Sequence, residues 1–246
     1  YYVLKYFSQS LDKTLIGWKY GAKDLGLYYK AYQLFVLPVN QLIFPLQAVA
    51  VATLSKLKDN PADFKHYYLK ALKVIAFIGM PFCFYMSLES RNIILLLVGV
   101  QWLKTAEILS ILAIGASMQL LYSTQGWLCV SLGKPNKWFR WNIVGSIITV
   151  ICFIIGLPFG TQGVSIGYTL SIFILVFPAL IYAGSEIHLT FRDLFGVIWR
   201  FFTSALLSTL FCFILLINFF PDQSPSNILV TFPVFVFSYL VLVILF

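Results

Sequence analysis

Residues 1–47 read YYVLKYFSQSLDKTLIGWKYGAKDLGLYYKAYQLFVLPVNQLIFPLQ. This stretch contains one apolar segment over 1–18 and the start of a second, which continues to residue 54. Each is long enough to cross a lipid bilayer as a helix, because a span needs about 20 predominantly apolar residues. Both segments also carry several polar side chains, which are costly in lipid and therefore tend to face protein or water. The stretch predicts a helical membrane protein whose first two spans turn a polar side away from lipid.

The composition of the whole chain supports this class. Of the 246 residues, 60% are hydrophobic and 11% are charged, and the mean hydropathy is +0.89. A soluble domain has roughly 25% charged residues. The composition therefore excludes a soluble enzyme, a nucleic-acid-binding domain, a disordered region and a disulfide-rich secreted module. The apolar runs are also about twice the ten-residue length of strands in a membrane barrel, so helices are expected.

The apolar segments predict an all-α polytopic protein with about eight transmembrane helices. Pro38 and Pro45 lie inside the second segment and are expected to bend it. The apolar stretch 92–102 is too short to span and is predicted to be interfacial or re-entrant. The eight predicted spans are residues 1–18, 25–54, 67–88, 106–132, 138–157, 163–183, 197–219 and 228–246.

Basic residues concentrate in alternate loops between these segments. By the positive-inside rule, the basic set of loops is predicted to be cytoplasmic. The loop 55–73 is interpreted first as a solvated face and alternatively as a site that attracts anionic head groups or diphosphates. Lys19, Lys23 and Lys30 oppose the rule, because the first connection should face outward. The basic set comprises Lys56, Lys58, Lys65, Lys70, Lys73, Lys134, Lys137, Arg140, Arg192 and Arg200.

The first two segments carry the candidate binding residues. In the first segment, Lys5, Asp12 and Lys19 share one helical face with Ser8 and Gln9, because their spacings are three, four and seven. Such a helix either lies flat on the membrane or stands upright with its polar stripe along a hydrated cavity. Polar residues in the second segment favour the cavity, and these are Lys30, Gln33, Asn40, Gln41 and Gln47.

The sequence contains no recognisable catalytic or metal-binding motif. We find no nucleophile elbow, phosphate-binding glycine loop or paired-carboxylate signature. His66 and His188 are isolated, which makes a metal site improbable. The cysteines are far apart within apolar stretches and are interpreted as packing residues: Cys83, Cys129, Cys152 and Cys212. We therefore expect neither an enzyme nor a bound cofactor.

Several short motifs resemble a known family. Residues 6–17, YFSQSLDKTLIG, resemble the pattern YFSRNLD–LIG that opens the second half of polysaccharide transporters, the oligosaccharide flippases of the MATE-like superfamily. Gln9 stands where this family commonly has Arg. The resemblance covers roughly the first 135 residues. It continues through GAKDLGLY at 21–28, AYQL at 31–34 with Pro38, LSKLKDNP at 54–61, and Gly99 with Trp102.

The resemblance implies a fold and a set of partners. Residues 1–183 would form a C-terminal six-helix lobe, and residues 184–246 would add two peripheral helices that are cut short. Because residue 1 is Tyr and the last apolar run stops at Phe246, we expect a fragment that lacks an N-terminal lobe. Further expected partners are membrane lipids, a lipid-linked oligosaccharide and other polysaccharide-assembly proteins. No nucleic-acid partner is expected.

The predicted function is that of a flippase in the bacterial cytoplasmic membrane. It would move an undecaprenyl-diphosphate-linked oligosaccharide between leaflets by alternating access, with coupling to a proton or sodium gradient as an option. Two alternatives stay open: a MATE-like drug or ion exporter, and a non-transporting membrane subunit or enzyme of envelope polysaccharide assembly. Asp12 is either a coupling-ion site or a partner for Lys5. The predicted substrate-binding residues are Lys5, Asp12, Lys13, Lys30, Gln33, Asn40 and Gln41.

Overall fold

The fold was analysed in a computed structural model, which describes residues 2–219 and 225–246, with side chains from residue 10 onward except at 219 and 226. Over these ranges the regular secondary structure is helical, with short 3₁₀ turns in four of the connections and no strand. This confirms the predicted all-α class. The helices are α1 (Tyr2–Lys56), α2 (Pro61–Leu88), α3 (Ser90–Leu97), α4 (Thr105–Ser123), α5 (Gln125–Ser131), α6 (Pro135–Gly156), α7 (Gly160–Ala183), α8 (Phe191–Phe219) and α9 (Ile228–Leu245).

Within the described residues, six helical stretches are long and apolar enough to cross a membrane, as judged by length and composition. Two of them contain a sharp break. Gly21 divides α1 into a first arm (2–20) and a second arm (22–56), and Gly160 separates α6 from α7. Each predicted segment therefore corresponds to one helix, one arm of α1 or the consecutive pair α4–α5. The chain is a multi-pass membrane protein.

The two breaks depend on glycine. Gly21 has φ 82° and Gly160 has φ 78°, a region that side chains with a Cβ rarely adopt. In α1 the non-helical dihedrals occur at Gly21, whereas Pro38 and Pro45 lie inside the helix without such an interruption. The main break thus lies between the two predicted segments, and the bends expected at Pro38 and Pro45 stay predictions.

Helix α4 lies at the centre of the helical lobe. It packs against α1, α2 and α7, and most of its side chains are buried. A helix that is apolar on all sides is stable only when it is surrounded in this way. Helix α6 packs on α7, and α8 packs on α2 and carries α9. Much of α8 and α9 remains exposed, as expected for peripheral helices that face lipid.

The contact between α6 and α7 depends on closely opposed glycines. A Cβ added to Gly156 would collide with the carbonyl oxygen of Gly163, and one added to Gly163 would collide with that of Gly156. Gly167 approaches the backbone of Cys152 in the same way. Small residues of this kind let two membrane helices approach closely, which increases van der Waals contact between them.

The loops meet at two opposite ends of the helices. At one end, Lys65 pairs with Asp193 (Nζ–Oδ2 2.6 Å) and Lys137 pairs with Glu186 (3.1 Å). At the other end, Tyr20 donates a hydrogen bond of 2.5 Å to the carbonyl of Leu157. The loops predicted to share the cytoplasmic side are thus in contact with one another. Which end faces the cytoplasm stays a prediction from the charge pattern.

The segment 92–102 does not span. Helix α3 has eight residues and ends before Gly99, and a 3₁₀ turn follows at Val100–Trp102. Leu96, Leu97 and Val100 are exposed. The segment lies across the end of the lobe that also contains Gly21, where Trp102 lies close to Gly26.

Candidate functional site

A groove of about 620 Å³ runs along the second arm of α1. Four of the predicted binding residues line it together: Lys13, Lys30, Gln33 and Asn40. Lys30, Gln33 and Asn40 share a face of one helix, because residues three, four or seven apart lie on the same side. The remaining lining residues are Tyr29, Tyr32, Leu34, Val36, Leu37, Leu97 and Val98.

Lys13 reaches this groove because Gly21 folds the first arm of α1 back on the second. Its Nζ lies 4.0 Å from the centre of the Tyr32 ring. A cation over an aromatic face is attracted by the ring quadrupole, which positions Lys13 on the groove wall.

Lys30 lies at the end of the groove closest to α3. Its Nζ is 5.7 Å from the ring centre of Trp102, in the 3₁₀ turn after α3. Leu97 and Val98 add an apolar edge beside it. The groove thus presents two ammonium groups, two amides and an adjacent apolar edge, and its lining includes no carboxylate among the described residues.

Asp12 lies behind the groove wall. Only 2% of its surface is exposed, and its Oδ2 accepts a hydrogen bond of 2.8 Å from the Tyr28 hydroxyl. Its other oxygen, Oδ1, is buried without a hydrogen-bond partner among the described residues. An aromatic cluster extends from Tyr28 through Tyr32 to Tyr168. Asp12 is therefore an internal anchor between the two arms of α1.

The structure does not bring all seven predicted residues together. Gln41 is exposed but is not among the residues that line the groove. The side chain of Lys5 lies outside the described residues, so the predicted pairing of Lys5 with Asp12 stays a prediction.

Sequence reasoning missed the aromatic and apolar part of the groove. Tyr29 lies four residues before Gln33 and three before Tyr32. Helical spacing alone could therefore have placed these tyrosines on the side of α1 that faces the groove. Leu97 and Val98 come from α3, about 60 residues further along the chain. No local pattern connects them to α1.

Comparison with known proteins finds a family whose model matches the first part of the chain. Residues 1–107 match the family described as "Polysaccharide biosynthesis protein". The chain is 28% identical over 133 residues to the teichuronic acid biosynthesis protein TuaB of Bacillus subtilis, a match covering 54% of this chain and 28% of TuaB. It is 22% identical over 187 residues to the lipopolysaccharide biosynthesis protein WzxC of Escherichia coli, covering 72% of this chain and 38% of WzxC. The first 107 residues are thus similar to this family, and the relatives named are similar to the chain over part of their length.

The fold of the chain is also found in a solved structure. The lipid II flippase MurJ, in an inward closed conformation, superposes with a TM-score of 0.78 at 17% sequence identity. The superposition covers 98% of this chain and 50% of that flippase. The two chains therefore share a fold. This chain spans well under half the length of the curated relatives it matches.

Proposed function

We propose that the protein is a flippase of the bacterial cytoplasmic membrane that moves a lipid-linked oligosaccharide diphosphate between leaflets by alternating access. The observation that supports this most is the convergence of Lys13, Lys30, Gln33 and Asn40 on one groove. The family match over residues 1–107 and the shared fold agree with it.

The chemistry of the groove matches an amphiphile with an anionic head. The ammonium groups of Lys13 and Lys30 offset the charge of a diphosphate, which otherwise could not enter a low-dielectric region. The amides of Gln33 and Asn40 offer donors and acceptors to sugar hydroxyls. A prenyl chain would remain in lipid beside exposed apolar side chains. The second lobe expected for this family would form the opposite wall.

The same features argue against a MATE-like exporter of cations. Such a transporter needs carboxylates on the wall of its cavity to bind a positively charged substrate. In the described part of the groove the charged lining residues are Lys13 and Lys30. Asp12, the nearest predicted acidic residue, is buried behind the wall.

Asp12 is the residue we propose for coupling to a proton or sodium gradient. It is buried at the fold between the two arms of α1, where a change in its charge would alter their packing. Asp12→Asn would then transport without responding to an imposed ion gradient, whereas a variant with an unchanged gradient response would refute this role.

A translocation assay tests the main proposal. Full-length protein in proteoliposomes would be given a labelled undecaprenyl-diphosphate oligosaccharide, and the label exposed on the opposite leaflet would be measured with an impermeant lectin. Lys13→Gln and Lys30→Gln should each slow translocation roughly tenfold or more, because hydrogen bonds to charged groups contribute about 1.5–3 kcal/mol. Lys23→Gln is the matched control, since Lys23 is exposed and does not line the groove. Equal rates in all three variants would refute the assignment.

A further inference from the structure

A second buried carboxylate lies outside the groove lining, where α2, α3 and α9 meet. Glu89 follows the last residue of α2 and is 2% exposed. Its Oε1 accepts a hydrogen bond of 2.7 Å from Thr231 of α9, and its Oε2 accepts one of 2.7 Å from the Asn92 amide of α3. Three helices thus contribute to a single polar site inside an apolar protein.

This site is rich in oxygen atoms. The Tyr85 hydroxyl lies 3.0 Å from Thr231 Oγ1 and 3.4 Å from the carbonyl oxygen of Ile228. Asn92 is 5% exposed, its amide is directed at Glu89, and its Oδ1 is buried without a hydrogen-bond partner among the described residues. A buried amide oxygen without a partner lowers the stability of the folded state. A bound ligand that interacts with its lone pairs would remove this penalty.

In the described part of the chain, the charge of Glu89 is not balanced by an ion pair. The ion pairs among the described residues involve Asp193 and Glu186 at the opposite end of the helices, and none includes Glu89. Arg91, two residues further on, is exposed. Both carboxylate oxygens of Glu89 accept hydrogen bonds, which is the pattern of an ionised group. Burying an ionised carboxylate without a cation is strongly unfavourable.

We propose that Glu89, Asn92 and Thr231 bind a monovalent cation such as sodium. Carboxylate, amide and hydroxyl oxygens are the ligands that hard cations prefer. One positive charge neutralises the single carboxylate, whereas a divalent ion would leave a net charge in a buried position. The ion ties the first turn of α9 to the junction of α2 and α3. The inference is independent of the proposed transport activity, because it concerns how the terminal helices are attached.

Thermal unfolding of the full-length protein in detergent tests this site. The unfolding midpoint is measured in sodium chloride and in choline chloride at equal ionic strength. A ligand that binds only the folded state raises the midpoint, and an effect of ordinary size corresponds to about 2–4 °C for a chain of this length. Glu89→Gln should abolish the sodium effect. Thr231→Val should weaken it, while Thr231→Ser, which keeps the hydroxyl, should retain it.

Two controls separate this site from other carboxylates. Glu107→Gln removes an exposed carboxylate at the same end of the protein and should leave the sodium effect intact. Asp12→Asn, at the residue proposed for ion coupling, serves as a background for comparison: Glu89→Gln added to it should remove the sodium effect that remains. If Asp12→Asn abolishes the effect while Glu89→Gln does not, the ion binds in the lobe and the proposal is overturned. Equal midpoints in sodium and choline overturn it as well. If Glu89→Gln fails to fold, direct binding of radioactive sodium to the Thr231→Val and Thr231→Ser variants decides.

Discussion

The Tyr28 hydroxyl donates a hydrogen bond of 2.8 Å to Asp12 Oδ2 across the fold in α1. Tyr28 and Asp12 are 16 residues apart and belong to different arms of that helix. Both are buried. Together with Lys13 over the Tyr32 ring, this contact joins the arm that carries Lys13 to the arm that carries most of the groove.

Removing that hydroxyl should loosen the fold of α1. Tyr28→Phe removes the hydroxyl that donates to Asp12 Oδ2, which should cost about 1–3 kcal/mol in the free energy of unfolding. Chemical denaturation in detergent measures it. Tyr29→Phe is the matched control, because Tyr29 is exposed on the next position of the same helix. Equal losses in the two variants would show that the Asp12 contact does not stabilise the fold.

The amides of the groove should act on the sugar part of the substrate. Asn40→Leu removes an amide from the groove wall while roughly keeping its volume, so translocation of the oligosaccharide-linked lipid should fall. Translocation of the same lipid diphosphate without sugars should change little, because its charge is offset by Lys13 and Lys30. The proteoliposome assay with both substrates gives the ratio of the two rates.

Gln41→Leu provides the comparison for Asn40. Gln41 is the adjacent amide, exposed but absent from the groove lining. Its substitution should leave the ratio of the two rates at the wild-type value. If Gln41→Leu lowers the ratio as much as Asn40→Leu, an amide in the groove has no greater effect on the sugar than an amide elsewhere on α1, and the assignment of Asn40 is wrong.

The sequence predicted the helices well because lipid imposes a simple rule on them. A span must be apolar for about 20 residues, and the interruptions between spans are visible as polar turns. The predicted segments 138–157 and 163–183, for example, match α6 and α7, with ends that differ by at most about three residues. The resemblance to polysaccharide transporters was predicted from the motifs of the first 61 residues with Gly99 and Trp102, and the family match over residues 1–107 confirms that resemblance.

The site was predicted only in part, because helical spacing says which residues share a face but not what that face touches. Asp12 and Lys13 are neighbours, yet Asp12 turns into the aromatic cluster and Lys13 into the groove. That difference depends on Gly21, whose positive φ sets how the two arms meet. Glu89 was not singled out, since its partner Thr231 is 142 residues away along the chain.

Close packing of α6 on α7 should make Gly163 intolerant of a side chain. Gly163→Ala places a Cβ against the backbone carbonyl of Gly156, and backbone cannot move aside as a flexible side chain can. We expect a loss of about 1–3 kcal/mol in the free energy of unfolding, the usual cost of overpacking a core.

Gly196→Ala is the control for this substitution. Gly196 lies inside α8, and a Cβ added there meets no atom within 4 Å. Alanine favours the helix over glycine by up to about 1 kcal/mol, so this variant should unfold no more easily than the wild type. Chemical denaturation of both variants under the same conditions tests the pair. A Gly163→Ala protein as stable as Gly196→Ala would mean that the two helices are further apart than the structure shows.

Glu186 should make stability depend on pH at the end of the lobe that carries the basic loops. Burial on its own would raise the pKa of Glu186, but the hydrogen bond and charge of Lys137, with the further charge of Lys134, hold it below its ordinary value of 4.5. A carboxyl whose pKa is lower in the folded state contributes stability above the unfolded value, and loses it as pH falls through the folded value.

Glu186→Gln lacks this contribution. The difference in unfolding midpoint between wild type and Glu186→Gln should therefore be constant above pH 4.5 and shrink below it. Lys137→Gln keeps the carboxylate but removes its nearest cation. In a Lys137→Gln background, Glu186→Gln should therefore change the unfolding midpoint less than in the wild type, at neutral pH as well. A difference that grows on acidification would show that Glu186 is repelled rather than stabilised by its surroundings.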